Sequence, residues 1–218
     1  MRQRVALDLF CCAGGATRGL QQIGFRVVGV DIVPRPNYCG DDFVLGDALQ
    51  VGPELIRKVR PSLVTASPRA RGTRRWRPCT GTRTPMLIPG TRQMLLESRV
   101  PFVLENVAGA PLRKDVMLCG EQFGLGVLQH RYFEIQGGSV VQLRHQRHRG
   151  RVRGWRHGVH HDGPYIAAYG KGGGKGTPEE IRTAKGIDWT YDLVELCEAI
   201  PPAYTRYLGA QMMLSMED

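Results

Sequence analysis

Asp8-Leu9-Phe10-Cys11-Cys12-Ala13-Gly14-Gly15 joins a short apolar run, Val5 to Phe10, to a helical pattern, Ala16 to Ile23. This order predicts a strand, a tight turn and a helix, the unit that opens many nucleotide-binding α/β domains. Small residues in the turn allow backbone N–H groups to approach a ligand closely. The spacing is not Gly-x-Gly-x-x-Gly, which disfavours a dinucleotide fold of the dehydrogenase type.

Length and composition indicate an intracellular protein of one domain with a small appended lobe. The 218 residues are enough for a sizeable core, and no apolar run has the length of a transmembrane helix. Met1-Arg2-Gln3-Arg4 leads directly into a short strand and does not resemble a secretory signal. The six cysteines are an adjacent pair and scattered single residues, which indicates neither a metal site nor a disulfide framework. We expect a cytoplasmic location, in a bacterial cell or a phage-infected host.

The net charge of +10 favours a nucleic-acid partner. Six arginines lie between Arg69 and Arg83 without an acidic residue, and six more lie between Arg144 and Arg156. The second group is the better candidate for contacting DNA, because its guanidinium groups alternate with histidines and a tryptophan, which suit phosphates and bases. The candidate DNA contacts are Arg144, Arg147, Arg151, Arg153 and Trp155.

Further polar residues follow the apolar runs. A second predicted strand, Val27 to Ile32, contains Asp31 near its end, and a third, Phe43 to Leu45, precedes Gly46-Asp47-Ala48. The fourth, Leu63 to Ala66, leads into Ser67-Pro68, and the fifth, Pro101 to Leu104, leads into Glu105. Acids at strand ends are common in loops, so each alone is a weak signal. Their order after the Gly-rich turn is a stronger one.

The first motif resembles the Asp-Leu-Phe-x-Gly-x-Gly-Gly motif of DNA cytosine-5 methyltransferases, with Cys12 where that family usually has glycine. The sequence looks most similar to the short methylases of bacteriophages and bacteria. Glu105 in Glu-Asn-Val, Arg131 in Gln-x-Arg and the late Ile200-Pro201-Pro202-Ala203 match later motifs of the family, so the resemblance spans nearly the whole chain.

The resemblance implies a Rossmann-like α/β fold, a doubly wound and mainly parallel sheet that binds S-adenosylmethionine, with a small irregular recognition lobe. It implies a catalytic domain over residues 1–136, a reduced target-recognition region over 137–187 and a C-terminal return over 188–218. Double-stranded DNA is the implied substrate, and we expect a monomer. Glu105 and Arg131 match catalytic residues. The residues implied to bind the cofactor are Phe10, Cys11, Cys12, Ala13, Gly14, Gly15, Asp31, Ile32, Asp47, Ala48, Pro68 and Pro202.

The nucleophile of this family is missing from the sequence. The family has Pro-Cys, usually Ser-Pro-Pro-Cys-Gln, directly after the fourth strand, because a thiolate must add to carbon 6 of cytosine before carbon 5 can accept a methyl group. This chain reads Ser67-Pro68-Arg69-Ala70-Arg71. Cys79 lies too far along the chain to occupy the same turn.

We interpret the unusual composition of this segment as the result of a frameshift. Arg69 to Thr84 contains six arginines, a tryptophan and no acidic or aliphatic branched residue. GC-rich codons for Arg69 to Pro85, read in a shifted frame, can give Cys-Gln-Gly-His-Ser-Ala-Leu-Ala-Pro-Leu-His-Gly-Asn-Ala-Asn-Pro. With a proline before it, this restores Ser-Pro-Pro-Cys-Gln with cysteine at position 70 and lowers the net charge from +10 to +4, since six arginines are lost. The codons were chosen freely, so the result shows that the segment is compatible with a frameshift.

Three alternatives remain open. The chain is a non-catalytic pseudoenzyme that binds S-adenosylmethionine or DNA, if the sequence of residues 69–84 is authentic. An amino-group DNA methyltransferase would need Asp/Asn/Ser-Pro-Pro followed by an aromatic residue, which neither version of the segment contains. Nothing in the sequence favours an RNA-directed methylase of the same family.

Overall fold

The computed structural model describes residues 3–69, 87–168 and 176–216. Seven strands form one sheet and two form a separate hairpin. The strands are Val5–Leu9 (β1), Arg26–Asp31 (β2), Asp42–Leu45 (β3), Leu63–Ala66 (β4), Phe102–Asn106 (β5), Val116–Leu118 (β6), Arg131–Gln136 (β7), Gly154–Arg156 (β8) and Val159–His161 (β9). The helices are Gly15–Gln21 (α1), Ala48–Val59 (α2), Leu87–Ser98 (α3), Pro178–Lys185 (α4), Leu193–Glu198 (α5) and Pro202–Ser215 (α6).

The central sheet has the order β3-β2-β1-β4-β5-β7-β6. Strands β1 to β5 pair in parallel, and β7 runs antiparallel to both of its neighbours. The direction of winding reverses between β1 and β4, and ligands of such sheets bind beyond the carboxyl ends of the strands at that reversal. The turns that follow β1 and β4 therefore lie at the expected binding position.

Two hydrophobic clusters cover the two faces of the sheet. On one face, α1 and α6 pack over buried residues that include Leu20, Phe133 and Tyr204. On the other, α2 and α3 pack over residues that include Leu9 and Phe102. Alternate residues of the strands point to opposite clusters, which explains why the central strands appear in the sequence as continuous apolar runs. The prediction of a doubly wound, mainly parallel sheet is confirmed.

The segment 137–187 is more ordered than the irregular lobe that the sequence predicts. It contains the β8–β9 hairpin and helix α4, whose N-terminus has a capping box in which Thr177 and Glu180 each accept a backbone N–H of the other. A third hydrophobic cluster joins Ile181 to residues outside this segment, among them Val127 and Leu196. The domain boundaries at 136/137 and 187/188 stay predictions. Among the described helices, none is both long and apolar enough to cross a membrane.

Candidate active site

The turn after β1 contains several residues with a left-handed backbone. Phe10, Cys12 and Gly14 have φ angles of +61°, +50° and +94°. Glycine adopts this conformation readily, whereas a residue with a Cβ is strained in it. The left-handed backbone explains why the motif usually has glycine where this chain has Cys12. Cys12 adopts this conformation at some cost in backbone strain.

Asp31, at the end of β2, already contacts three groups of the protein. Its Oδ2 accepts the backbone N–H of Cys12 at 3.0 Å, and its Oδ1 accepts that of Val33 at 3.0 Å. The guanidinium Nε of Arg35 lies 3.1 Å from Oδ2. The carboxylate therefore fixes the first turn to the end of β2, and a ribose would have to share it with these partners.

Asp47 and Ile32 lie at the same edge of the sheet. The Oδ1 of Asp47 caps α2 by accepting the N–H of Leu49 at 2.9 Å, which leaves Oδ2 for another donor. Ala48, the first residue of that helix, is buried. Ile32 is 61% exposed directly after β2. An apolar surface beside two carboxylates suits an adenosine, whose ring is apolar on its faces and polar on its edges.

The C-terminal part of the chain lies against the turn. The indole N–H of Trp189 donates to the Ala13 carbonyl at 2.7 Å. A Cβ on Gly15 would overlap the Ile200 carbonyl oxygen, so only glycine allows this approach. Pro202 is buried as the first residue of α6. The late motif, Ile200 to Ala203, therefore packs against the Gly-rich turn of the first motif. The sequence resemblance implies this position for a segment that returns to the cofactor site.

Glu105 and Arg131 form a shielded ion pair at the carboxyl end of β5. The Nε of Arg131 lies 2.9 Å from the Oε1 of Glu105, and the Glu105 residue is 8% exposed. Burial raises the pKa of the Glu105 carboxyl, while Arg131 and a hydrogen bond from Ser67 lower it. Because β5 and β7 are antiparallel neighbours, residues 26 positions apart meet here.

The turn after β4 leads directly to this pair. The Ser67 side chain hydrogen-bonds to Glu105, and the Asn106 side-chain amide donates to the Pro68 carbonyl at 2.5 Å. Pro68 is therefore fixed beside the acid. Residues 70–86 lie outside the described residues, and with them Ala70, Cys79 and most of the segment of the frameshift hypothesis.

The adjacent cysteines of the first motif are poor substitutes for the missing nucleophile. Burial raises the pKa of the Cys11 thiol far above its usual range and raises the pKa of Cys12 to about 12. Both thiols are therefore protonated at neutral pH, whereas the reactive form is the thiolate.

Sequence reasoning missed a buried lysine close to the acid. The Nζ of Lys185 donates to the carbonyls of Leu196 and Ala199 at 2.6 and 2.5 Å, and so caps α5. Burial, together with the positive charge of Arg131, lowers the pKa of Lys185 to about 7. The amide nitrogen of Gln129 donates to the same Ala199 carbonyl at 3.3 Å. Lysines inside a Gly/Lys/Arg-rich segment usually lie in solvent, so the sequence carries no signal for this one.

Four of the five candidate DNA contacts are exposed, and the fifth forms an ion pair within the protein. Arg144, Arg147 and Arg151 are exposed, and Trp155 in β8 is 67% exposed. Arg153 instead pairs with Glu180 of α4. The hairpin thus presents an aromatic ring to solvent beside basic residues, which is the expected character of a nucleic-acid surface.

No protein-family model matches the sequence, and no curated protein matches it either. Among solved structures, the methyltransferase EhMeth of Entamoeba histolytica is similar over 98% of both chains, with a TM-score of 0.61 and 11% identity. A mutant of DNMT2 from Spodoptera frugiperda and the Dnmt2 methyltransferase of S. pombe match with TM-scores of 0.45 and 0.46 and identities of 18% and 20%. These two matches cover 60% and 62% of this chain and 48% and 50% of those chains, so this chain spans about half of their length.

The likeness to EhMeth extends over nearly all of both chains, and it agrees with the strand order and the two helical layers. The chain therefore shares the fold of EhMeth, a doubly wound and mainly parallel α/β sheet, which is the fold that its motifs predict.

Proposed function

We propose that this protein is a DNA cytosine-5 methyltransferase whose written sequence lacks the nucleophilic cysteine. The observation that carries the proposal is the shielded pair of Glu105 and Arg131 beside the Ser67-Pro68 turn. This pair lies at the carboxyl edge of the sheet, where the winding reverses and the Gly-rich turn follows β1. An acid, a cation and a cofactor turn at one edge are the groups that transfer of a methyl group to a pyrimidine requires.

S-adenosylmethionine, which supplies the methyl group as an electrophile when bound, fits the turn and its surroundings. Phe10 to Gly15 would hold it, with Asp31 and Asp47 toward the ribose and adenine and Ile32 against the ring. The exposed Ile32 and the free Oδ2 of Asp47 support this assignment, because both lack a partner suited to them within the described residues. Pro68 and Pro202 would complete the walls.

Glu105 would act on the target base. Its raised pKa favours a carboxyl that holds a proton, which it can share with N3 of cytosine, while Arg131 holds the side chain in place. A thiolate would add to carbon 6 of the base, which makes carbon 5 nucleophilic toward the methyl group that the donor supplies. Transfer would release the donor as its thioether, and removal of the carbon 5 proton by a base would then expel the thiolate from carbon 6. The base must leave the duplex to reach these groups.

The thiolate would come from position 70, two residues after Pro68. Asn106 fixes Pro68 beside Glu105, so the segment that contains position 70 begins two residues after a point next to the acid. The frameshift hypothesis supplies that cysteine. The nucleotide sequence of codons 67 to 86 tests it directly, and an intact run of the arginine codons would refute it.

Three versions of the chain test the function: the written sequence, its Ala70→Cys variant, and a chain with residues 69–85 replaced by the restored segment. Each is incubated with duplex DNA and S-adenosylmethionine carrying a labelled methyl group. We expect label in cytosine for the restored chain, and none for the written sequence. Duplex DNA containing 5-fluorocytosine should trap the restored chain covalently, because carbon 5 then carries fluorine in place of the proton whose removal releases the thiolate.

Glu105→Gln in the restored chain is the matched control, and it should lose methylation while still binding the cofactor. Absence of both methylation and trapping in the restored chain would overturn the proposal. The alternative function, a non-catalytic protein that binds S-adenosylmethionine or DNA, is favoured by Ala70 in the written sequence. It requires that the written chain binds one of these ligands and that the arginine codons are intact.

A further inference from the structure

One cysteine and three histidines converge on a single point beside the start of β7, next to Arg131 in the sequence. One ligand atom from each of Cys119, His130, His145 and His148 lies within 4.8 Å of the other three. We propose that these four side chains bind a zinc ion that fastens residues 144–149 to the catalytic domain. Thiolate and imidazole are the ligands that zinc prefers in structural sites, and four of them complete a tetrahedral shell.

The spacing of the side chains is close to that of a tetrahedral site. Zinc–nitrogen and zinc–sulfur bonds of about 2.0–2.3 Å place neighbouring ligand atoms about 3.3–3.8 Å apart. The Nε2 atoms of His130 and His145 are 3.1 Å apart. The ring centroids of the three histidines lie between 4.8 and 5.1 Å from one another. Small side-chain rotations would therefore bring the four atoms onto one ion.

Neighbouring groups orient two of the ligands. The Nδ1 of His148 lies 2.6 Å from the Oε2 of Glu121, which leaves Nε2 of the same ring for a metal. A carboxylate behind a histidine is the usual support for a zinc ligand, because it fixes the tautomer and the ring orientation. The backbone N–H of Gln122 donates to the Cys119 carbonyl at 3.0 Å, and the side-chain oxygen of Gln122 accepts the backbone N–H of Cys119 at 2.7 Å, so Gln122 holds the backbone of Cys119 in place.

The thiol of Cys119 is engaged with the backbone of the segment before β7. The Cys119 thiol donates to the Leu128 carbonyl at 3.0 Å, and metal binding would release that proton.

The site would add a link between two parts of the chain that side-chain hydrogen bonds already join. Cys119 and His130 flank the end of β6 and the start of β7, whereas residues 140–150 form no helix or strand. This second segment is held by side-chain hydrogen bonds, such as those from Gln122 to the carbonyls of Leu143 and Arg144. Long irregular segments inside a domain commonly need such a fastening. Cysteine spacing alone did not indicate a metal, because three of the four ligands are histidines and they come from two segments of the chain.

The test uses the full chain, expressed without a polyhistidine tag and purified without chelator. We expect about one zinc per chain by elemental analysis. Replacement of zinc by Co²⁺ should give tetrahedral d–d absorption together with thiolate-to-cobalt charge transfer, since one ligand is sulfur. Metal-free protein, or a cobalt spectrum that is octahedral and lacks the charge-transfer band, would overturn the proposal.

Variants assign the ligands. His145→Ala changes an exposed residue, so it should fold and lose the metal. Cys119→Ala should abolish the charge-transfer band. Glu121→Gln should weaken zinc binding about 10–100-fold, since it removes the support behind His148. The matched control is His160→Ala, a partly exposed histidine of β9 outside the cluster, which should retain zinc; equal retention by His145→Ala would contradict the assignment. None of these measurements depends on methylation.

Discussion

The left-handed backbone at Cys12 is a source of strain that one substitution can relieve. The φ angle of +50° costs a residue with a Cβ about 1–2 kcal/mol. Glycine avoids this cost, but it also increases the conformational entropy of the unfolded chain, which offsets part of the gain in stability. We therefore expect Cys12→Gly to raise the free energy of unfolding by about 0.5–1 kcal/mol, as measured by urea denaturation. Ala13→Gly is the control. Ala13 does not have a positive φ angle, so Ala13→Gly should lower the free energy of unfolding. If both variants were less stable than the wild type, the backbone of Cys12 would not be strained.

Asp8 is a buried acid that makes stability depend on pH. It accepts hydrogen bonds from Thr17 at 2.6 Å and Thr65 at 2.9 Å, and burial raises its pKa from 3.8 to about 6. The protonated carboxyl therefore contributes stability that is fully present below pH 3.8 and is lost as the pH rises through about 6. A shift of this size corresponds to about 2–3 kcal/mol.

Asp8→Asn removes this titration. We expect the stability of the wild-type chain relative to the variant to fall between about pH 4 and pH 7, measured by urea denaturation at several pH values. Asp162→Asn replaces a fully solvated carboxylate, whose side chain is 99% exposed, and should change the pH dependence little. If the free energies of unfolding of the wild type and Asp8→Asn changed with pH in the same way, the pKa of the Asp8 carboxyl would not be raised and the prediction would be wrong.

At the scale of elements, the close approach of α1 and α6 depends on a small residue in α1. A Cβ on Gly19 would overlap the Pro202 carbonyl oxygen and the Thr205 hydroxyl, which belong to α6. Gly19→Ala should therefore lower the free energy of unfolding by about 1–3 kcal/mol.

In α3, a Cβ on Gly90 would meet Leu49 at 3.4 Å, an ordinary contact. Gly90→Ala should raise stability by about 0.5–1 kcal/mol, so the same chemical change has opposite signs in the two helices. Thermal or urea denaturation measures both, and a loss of similar size at Gly90 would refute the packing argument.

The carboxyl end of β2 presents the exposed Ile32, which the proposed function assigns to the cofactor. Burial of such a side chain contributes about 1.5–3 kcal/mol, so Ile32→Asp should weaken the binding of S-adenosylmethionine by at least about 10-fold in titration calorimetry. Leu214→Asp is matched in exposure, at 62% against 61%, and lies in the last turns of α6. It should bind the cofactor as the wild type does. Equal affinity in both variants would remove Ile32 from the site.

At the scale of the whole molecule, the charge distribution predicts how DNA binding responds to salt. Each phosphate contact contributes about 0.9 to the slope of log affinity against log salt concentration. Loss of two contacts in the double variant Arg144→Ala/Arg147→Ala should therefore lower that slope by about 1.8, as fluorescence anisotropy with a duplex can measure. The control is Arg57→Ala/Lys58→Ala, two exposed cations of α2. An equal reduction in both double variants would indicate a diffuse electrostatic effect rather than a binding surface.

Local patterns predicted much of the fold. The apolar runs and the Gly-rich turn gave β1, β2, β4 and α1 close to their observed bounds, because strand and turn preferences depend on neighbouring residues. Helix α4 was missed although Thr177 and Glu180 form a capping box, since the surrounding Gly, Lys and Arg residues hide its short apolar face. The outermost strand β6 was also missed, because a run of three residues is too short to show a period.

The sequence by itself determined the order of strands and helices, the Gly-rich turn and the absence of a cysteine after Pro68, because these are properties of adjacent residues. Only the tertiary structure decided that Arg131 meets Glu105, that Lys185 is buried under α5, and that Cys119 faces three histidines. Each of these contacts joins residues from different elements. Their distances depend on sheet order, strand direction and helix packing, which the sequence specifies only through the folded chain as a whole.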